Sequence, residues 1–320
     1  MKKFLVNMFL VICSFCIGLL LCEGTLVLKN RNMKNYDIEM WRYSKLLKKR
    51  SADPILGHEH RYNKEALLES VSIRTNNFGL RGPDIEEQCT KKRRILFLGS
   101  SMTLGWGVPE AETFSDLLSQ NLGNDVEVLN AGIGNYNTVR YVELFMTKLK
   151  VLNPTDIVID YAINDTEVLH DKNANWFLRN SQLAVTLWQL YHKIAHKYTV
   201  QDMVSYYKSC YQPDSKGYID MIAALDKITT YAREHNIRLY LVLRPDFTNI
   251  TDYKYGFIDK IMKRESLKRD IKYLDLFPAF DGVTDPSSFL AMPNDFHCNG
   301  KANRMMVEYA LKNNFFTISE

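Results

Sequence analysis

The sequence predicts a three-layer α/β/α sandwich, with a five-stranded parallel sheet covered by helices on both faces and an N-terminal membrane helix before it. Three observations carry this. Short apolar runs ended by Gly, Asn, Asp or Arg recur between residues 94 and 276, as the fully buried strands of parallel sheets do. Amphipathic helical stretches separate them, and that alternation implies right-handed crossovers. Finally, one long apolar run stands apart at the N-terminus.

That run is Phe4 to Cys22, interrupted only by Asn7 and Ser14 and preceded by Lys2 and Lys3. It reads as a signal anchor over residues 1–28. No A-x-A-like site ends it, and Leu21 before Cys22 is not the small residue of a lipoprotein cleavage site. Basic residues flank both ends, so the charge rule does not orient it; the expectation is a body outside the cytoplasm. Residues 29–90 form a stalk and lead-in. Within them, 37–50 reads as a basic helix carrying Ile38, Trp41 and Leu46, lying on the membrane surface or solvated as a stalk. Residues 51–90 are punctuated by Asp53-Pro54, Gly57, Gly79 and Gly82-Pro83 and read as loop.

The main domain, 91–320, opens with a strand at Ile95–Leu98 and the polar turn Gly99-Ser100-Ser101. A helix follows at Thr113–Leu122, capped by Thr113 and stopped by Gly123. Strand two is Val126–Leu129, then a helix from Thr138 that buries Val142, Phe145 and Leu149. Strand three, Ile157–Ile163, runs into Asn164-Asp165. Residues 166–217 exceed an ordinary connection and read as an insertion or lid, with an amphipathic pattern over Trp176–Tyr198. A helix at Tyr218–His235, strand four at Ile237–Leu243, a helix at Tyr253–Lys263, strand five at Ile271–Leu276 and a last helix at Lys301–Asn313 complete the order.

The net charge of +4 is mild, and no basic stripe with interleaved aromatics points to nucleic acid. Three of the six cysteines lie in the apolar run. Cys89, Cys210 and Cys298 remain, enough for one disulfide and without metal spacing. Gly105-x-Gly107 and Gly132-x-Gly134 lack the third Gly of a dinucleotide fingerprint, so no cofactor is expected. His192 and His196, at i and i+4, have no third ligand in view, and neither does His58-Glu59-His60, so no metal is expected. Cys298 reads as a small core-facing thiol rather than a nucleophile. Nothing in the sequence sets the oligomeric state.

In a parallel sheet the loops after each strand emerge on one edge. Here that edge collects Ser100 and Ser101, then Gly132, Gly134 and Asn135, then Asn164 and Asp165, and finally Asp295 and His297. These are the parts of acyl transfer: a hydroxyl, an imidazole base, a carboxylate to orient it, and neutral donors for an oxyanion.

At this point the chain resembles the SGNH/GDSL hydrolase superfamily over residues 94–312. GSSMTLGWGV looks like its first block, with Ser101 at the nucleophile position. NAGIGNYNT looks like the second, whose backbone amide, at Gly134 or Asn135, serves the oxyanion hole. AIND resembles the third, with Asn164 as a side-chain donor, and NDFHCNGKAN the last, with Asp295 and His297. DPILG and TNNFGLRGP look like the lead-in of membrane-anchored bacterial members. Ser100 replaces the usual Asp, Ala162 the usual Gly, and Asn294 stands where the family's Asp commonly lies, leaving Asp295 two residues before His297. The resemblance implies a flavodoxin-like sheet and a serine esterase acting on an acyl ester, such as O-acyl groups of a cell-envelope glycan or lipid. An O-acyl transferase and a non-catalytic glycan-binding or partner-binding module are the alternatives.

Overall fold

The computed structural model describes residues 1–169, 175–195, 200–293 and 295–317. Helix α1 (Lys2–Lys29) takes up the apolar run and buries none of its side chains against the protein. Its 28 residues extend about 42 Å at ~1.5 Å per residue, beyond the ~30 Å of a bilayer's hydrocarbon core. Among the described residues it alone is long and apolar enough to cross a membrane, although a signal sequence passes the same test.

The lead-in departs most from expectation. The basic stretch 37–50 is neither one helix nor solvated. Helix α2 (Tyr36–Leu46), capped by the Asn35 side chain, fully buries Ile38, Glu39 and Tyr43. The chain then turns into β1 (Lys48–Arg50), antiparallel to β2 (His58–His60). The presumed loop also holds a hairpin, β3 (Lys64–Leu68) and β4 (Val71–Thr75). Its turn residues Glu69 and Ser70 have φ of 49° and 64°, which is the primed turn that suits strand twist. Neither belongs to the Asn-Gly pairs that announce such turns, so the hairpin left no trace in the sequence. Tyr43 and Leu47 pack with Ala66, Leu68, Ile73, Leu104 and Trp106 into a small core of their own.

The main sheet has strands β5 (Arg93–Gly99), β6 (Val126–Gly132), β7 (Asp156–Tyr161), β8 (Arg238–Leu243) and β9 (Lys272–Asp275), all parallel. Their spatial order is β6-β5-β7-β8-β9. The chain leaves β5 first to one side and later returns to the other, so the carboxyl end of β5 is the topological switch point where open sheets bind ligands. Helix α3 (Ser101–Leu104) begins there. Helices α4 (Phe114–Leu122), α5 (Thr138–Leu144), α9 (Lys216–Glu234), α10 (Gly256–Leu267) and α11 (Gly300–Lys312) cover the faces. Ile95 and Phe97 pack toward Phe114 and Met306, while Leu96 and Leu98 point into the other cluster, with Tyr141 and Leu225. Both faces of β5 are buried, which is why it reads as an unbroken apolar run.

Residues 166–217 carry α6 (Trp176–Asn180), α7 (Gln182–Ala195) and α8 (Val200–Cys210). The pattern expected over Trp176–Tyr198 breaks at Ser181; its last residues, like His196, lie outside the described ones. All six cysteines are free, so the disulfide allowed for Cys89, Cys210 and Cys298 is not formed.

Candidate active site

Ser101 sits at the first position of α3, directly beyond the buried strand β5. The helix is a single turn because Gly105, at φ 74°, adopts the left-handed conformation and closes it. It also lies against the end of β6: a Cβ on Gly132 would stand 2.1 Å from the Leu104 backbone nitrogen. Gly132 therefore serves close approach and donates its N–H to the Asn130 side chain at 3.0 Å.

His297 comes from the far end of the chain and meets Ser101. Its Nε2 lies 2.7 Å from Ser101 Oγ, and its Nδ1 lies 2.7 Å from Asp295 Oδ1. An ionised carboxylate only accepts, so Nδ1 carries the ring proton and Nε2 accepts from the serine hydroxyl. His297 N–H also donates to Asp295 Oδ1, at 3.2 Å. A turn closed by Asp295 N–H on Met292 O, at 3.2 Å, brings the carboxylate back onto the ring despite the two-residue spacing. Asp295 and His297 are almost wholly buried. Asn294 lies outside the described residues. Ser100 is buried at the N-cap of α3, and Ala162 is buried with its carbonyl accepting from Asp165 N–H.

Of the expected oxyanion donors, Asn164 borders a small cleft with Met102, Ile163, Arg244, Asp246 and Phe296. Among the described hydrogen bonds its side-chain amide has no protein partner. Gly134 is otherwise engaged. Its N–H donates to Tyr43 Oη at 2.9 Å, and its carbonyl accepts from Lys48 Nζ at 2.6 Å and from His58 Nε2 at 3.0 Å. Of the two alternatives, the Gly134 amide is thus already bonded, whereas Asn135 is exposed and held at φ 64°. The Tyr43 hydroxyl in turn donates to His60 Nε2 at 2.6 Å, while His60 Nδ1–H donates to Gly79 O at 2.8 Å. Burial and the nearby Lys48 cation lower His58 to about 2, burial lowers His60 to about 4, and burial lowers Lys48 to about 7. Both rings are thus neutral, as the hydrogen-bond directions require. His58-Glu59-His60 is no idle triplet but part of the lead-in's hold on the loop after β6.

Asp165, the other residue after β7, is buried and accepts from the Tyr141 hydroxyl at 2.8 Å. Burial raises its carboxyl well above the ordinary range, so it fixes the loop and takes no part in the Ser101 chain.

Four residues near the site had no signal in the sequence. The Tyr36 ring packs 5.9 Å from the His297 ring. Glu69, at the hairpin turn, accepts from Trp106 Nε1 at 2.6 Å, and burial, then the Asp295 carboxylate, push it up to about 8. Arg81 donates to the carbonyls of Leu104, Gly105 and Val108, capping α3 from the lead-in. Arg244 forms a buried bidentate pair with Asp160, at 2.7 and 2.8 Å, and reaches Asn303 of α11 at 2.8 Å.

A family model, the GDSL-like Lipase/Acylhydrolase family, matches residues 97–305. A search of curated protein sequences returns no match. Among solved structures, a lipase/acylhydrolase from Enterococcus faecalis is 13 % identical, covering 71 % of this chain and 97 % of its own at a TM-score of 0.44. An acetyl xylan esterase is 16 % identical, with coverages of 69 % and 98 % and a TM-score of 0.42. A two-domain esterase active on acetylated mannans is 14 % identical, with coverages of 71 % and 50 % and a TM-score of 0.43.

Proposed function

Because the chain belongs to the GDSL-like lipase/acylhydrolase family and is an SGNH/GDSL-type ester hydrolase, we propose that Ser101 is its nucleophile, His297 its general base and Asp295 the carboxylate that orients the base. Ser101 Oγ attacks the ester carbonyl as its proton passes to His297 Nε2. The carbonyl oxygen becomes an oxyanion, received by the Asn164 side chain and the backbone amides of Ser101 and Asn135. Collapse expels the alcohol, which leaves with the proton from His297, and an acyl-serine remains. Water then attacks that ester, giving its proton to the same nitrogen, and the acid departs as Ser101 recovers its hydrogen. Gly134 acts through its peptide, which the lead-in holds in place.

The observation that supports this best is the unbroken chain Ser101–His297–Asp295, with both links at 2.7 Å. The cleft beside Asn164 is small, which favours a short acyl group. With α1 as anchor and the body outside the cytoplasm, the substrate class is an O-acylated glycan or lipid of the cell envelope. A serine-directed fluorophosphonate should label the wild type and spare Ser101→Ala. On p-nitrophenyl esters the acetate should be turned over faster than the octanoate. An adduct that survives Ser101→Ala would overturn the assignment, and a partner-binding role without catalysis would predict no adduct in either chain.

A further inference from the structure

We infer that α6 and α7 form a second membrane contact, lying in the interface of the leaflet where α1 ends and holding the active site against the bilayer surface. This rests on the reading of α1 as a retained anchor.

Helix α7 is amphipathic the wrong way round for a soluble protein. It buries only Gln182 and Val185. Its outer stripe is Leu187, Leu190, Tyr191 and Ile194, at i, i+3, i+4 and i+7, and these are 51 to 69 % exposed. Just before it, Trp176 and Phe177 of α6 are 68 and 64 % exposed. Apolar side chains in such a stripe, with Trp and Tyr among them, suit the boundary between headgroups and acyl chains.

What covers this face follows from its position. Glu23 lies on α1 one residue after the apolar run, at the depth where a span meets the headgroups. Its carboxylate accepts from the backbone N–H groups of Gln182 and Leu183 and from the Ser181 hydroxyl, all at 2.8 Å. Asn30, just past α1, donates to Gln182 at 2.9 Å. The first turn of α7 is therefore fixed at the point where α1 leaves the bilayer, in contact with a helix that buries none of its own side chains. Lys29, Arg31 and Lys34 follow Glu23 on the headgroup side of the span, suited to anionic headgroups. The Glu23 cap also ties α1 to the folded body, a contact that cleavage as a signal peptide would destroy.

The same element reaches the site. Trp41 of α2 donates to Leu178 O at 2.8 Å, and Lys193 pairs with Asp37 at 2.8 Å. Asp37 adjoins Tyr36, whose ring lies beside His297. Few residues thus separate the bilayer contact from the nucleophile.

The test uses the full chain in vesicles of phosphatidylcholine and phosphatidylglycerol whose acyl chains are brominated near the headgroup. Bromine quenches tryptophan on contact; Trp188 of α7 is 46 % exposed, whereas Trp41 is half-buried and Trp106 buried in the protein. We expect wild-type emission to be quenched, and most of that quenching to be lost in the Trp176→Phe/Trp188→Phe double variant. Fluorophosphonate labelling of Ser101 in both proteins reports that each is folded. Equal quenching in wild type and variant, with α1 still in the vesicle fraction after alkaline carbonate, would overturn the proposal. Tryptophan protection that grows with protein density and not with bromolipid would do the same, assigning the face to a second copy. Loss of the N-terminal residues, seen by intact mass, would overturn it through the anchor.

Discussion

At the scale of single residues the decisive arrangement is a carboxylate two residues before the histidine whose ring it meets at 2.7 Å. Asp295→Asn should leave the fold intact and lower kcat by up to ~10⁴, because the ring would lose its tautomer and the support for its charge. Asn164→Ala should lower kcat by roughly 10²–10³ with KM little changed, since an oxyanion donor acts only as charge develops. Steady-state kinetics on a chromogenic ester decides both, and an effect confined to KM would make Asn164 a binding residue. Glu69 gives a pH prediction. Its carboxyl titrates at about 8 in the folded chain against an ordinary value of 4.5, so between these the native state holds the extra proton. Stability therefore falls as pH rises from 4.5 to 8, and Glu69→Gln should flatten that part of a Tm-against-pH curve; an unchanged slope would show that another group is responsible. The meeting of Ser101, Asp295 and His297 was legible because each lies beyond a strand of the sheet in a fixed order. Tyr36 and Glu69 were not, since what places them is the packing of a helix and a hairpin turn whose residues carry no local signal.

Among the elements, the strands of the sheet were readable to within a few residues, because burial on both faces makes the inner strands β5, β7 and β8 apolar runs, while the edge strands β6 and β9 keep shorter apolar stretches between helices. The lead-in was not. Lys48–Arg50 and His58–His60 are three-residue strands of charged and imidazole side chains, and nothing in their composition marks a sheet. Beyond pairing with each other, they send Lys48 and His58, together with Tyr43 of α2, to one peptide, Gly134, 76 to 91 residues away in sequence. Tyr43→Phe tests that grip. It leaves the Gly134 N–H and His60 Nε2 without a partner, so urea denaturation should show a loss of about 1–3 kcal/mol. As the loop loosens, kcat should drop more than KM changes.

For the whole molecule, the Asp160–Arg244 pair joins β7 and β8 and connects them to α11 through Asn303. Both side chains are buried, so Arg244→Leu strands a carboxylate and should cost roughly 3–5 kcal/mol. The urea midpoint would shift while the slope m stays constant. The anchor is tested at this scale too: the full chain should remain with membranes through an alkaline carbonate wash, whereas a chain lacking residues 1–30 should keep only the peripheral hold of α6 and α7 and be stripped by the same wash.

The hold on Gly134 bears on how the protein can be divided. A chain begun at residue 91 would keep all five strands of the main sheet and every residue of the Ser101 chain. It would nevertheless lack Tyr43, Lys48 and His58, the only groups that fix the Gly134 peptide among the described hydrogen bonds, and Arg81, which caps α3. Such a truncation should bind fluorophosphonate slowly and turn over esters poorly while remaining folded. A chain begun at residue 33 keeps all four residues. Secretion or crystallisation of a trimmed form should therefore start ahead of α2, where the shortest active chain begins.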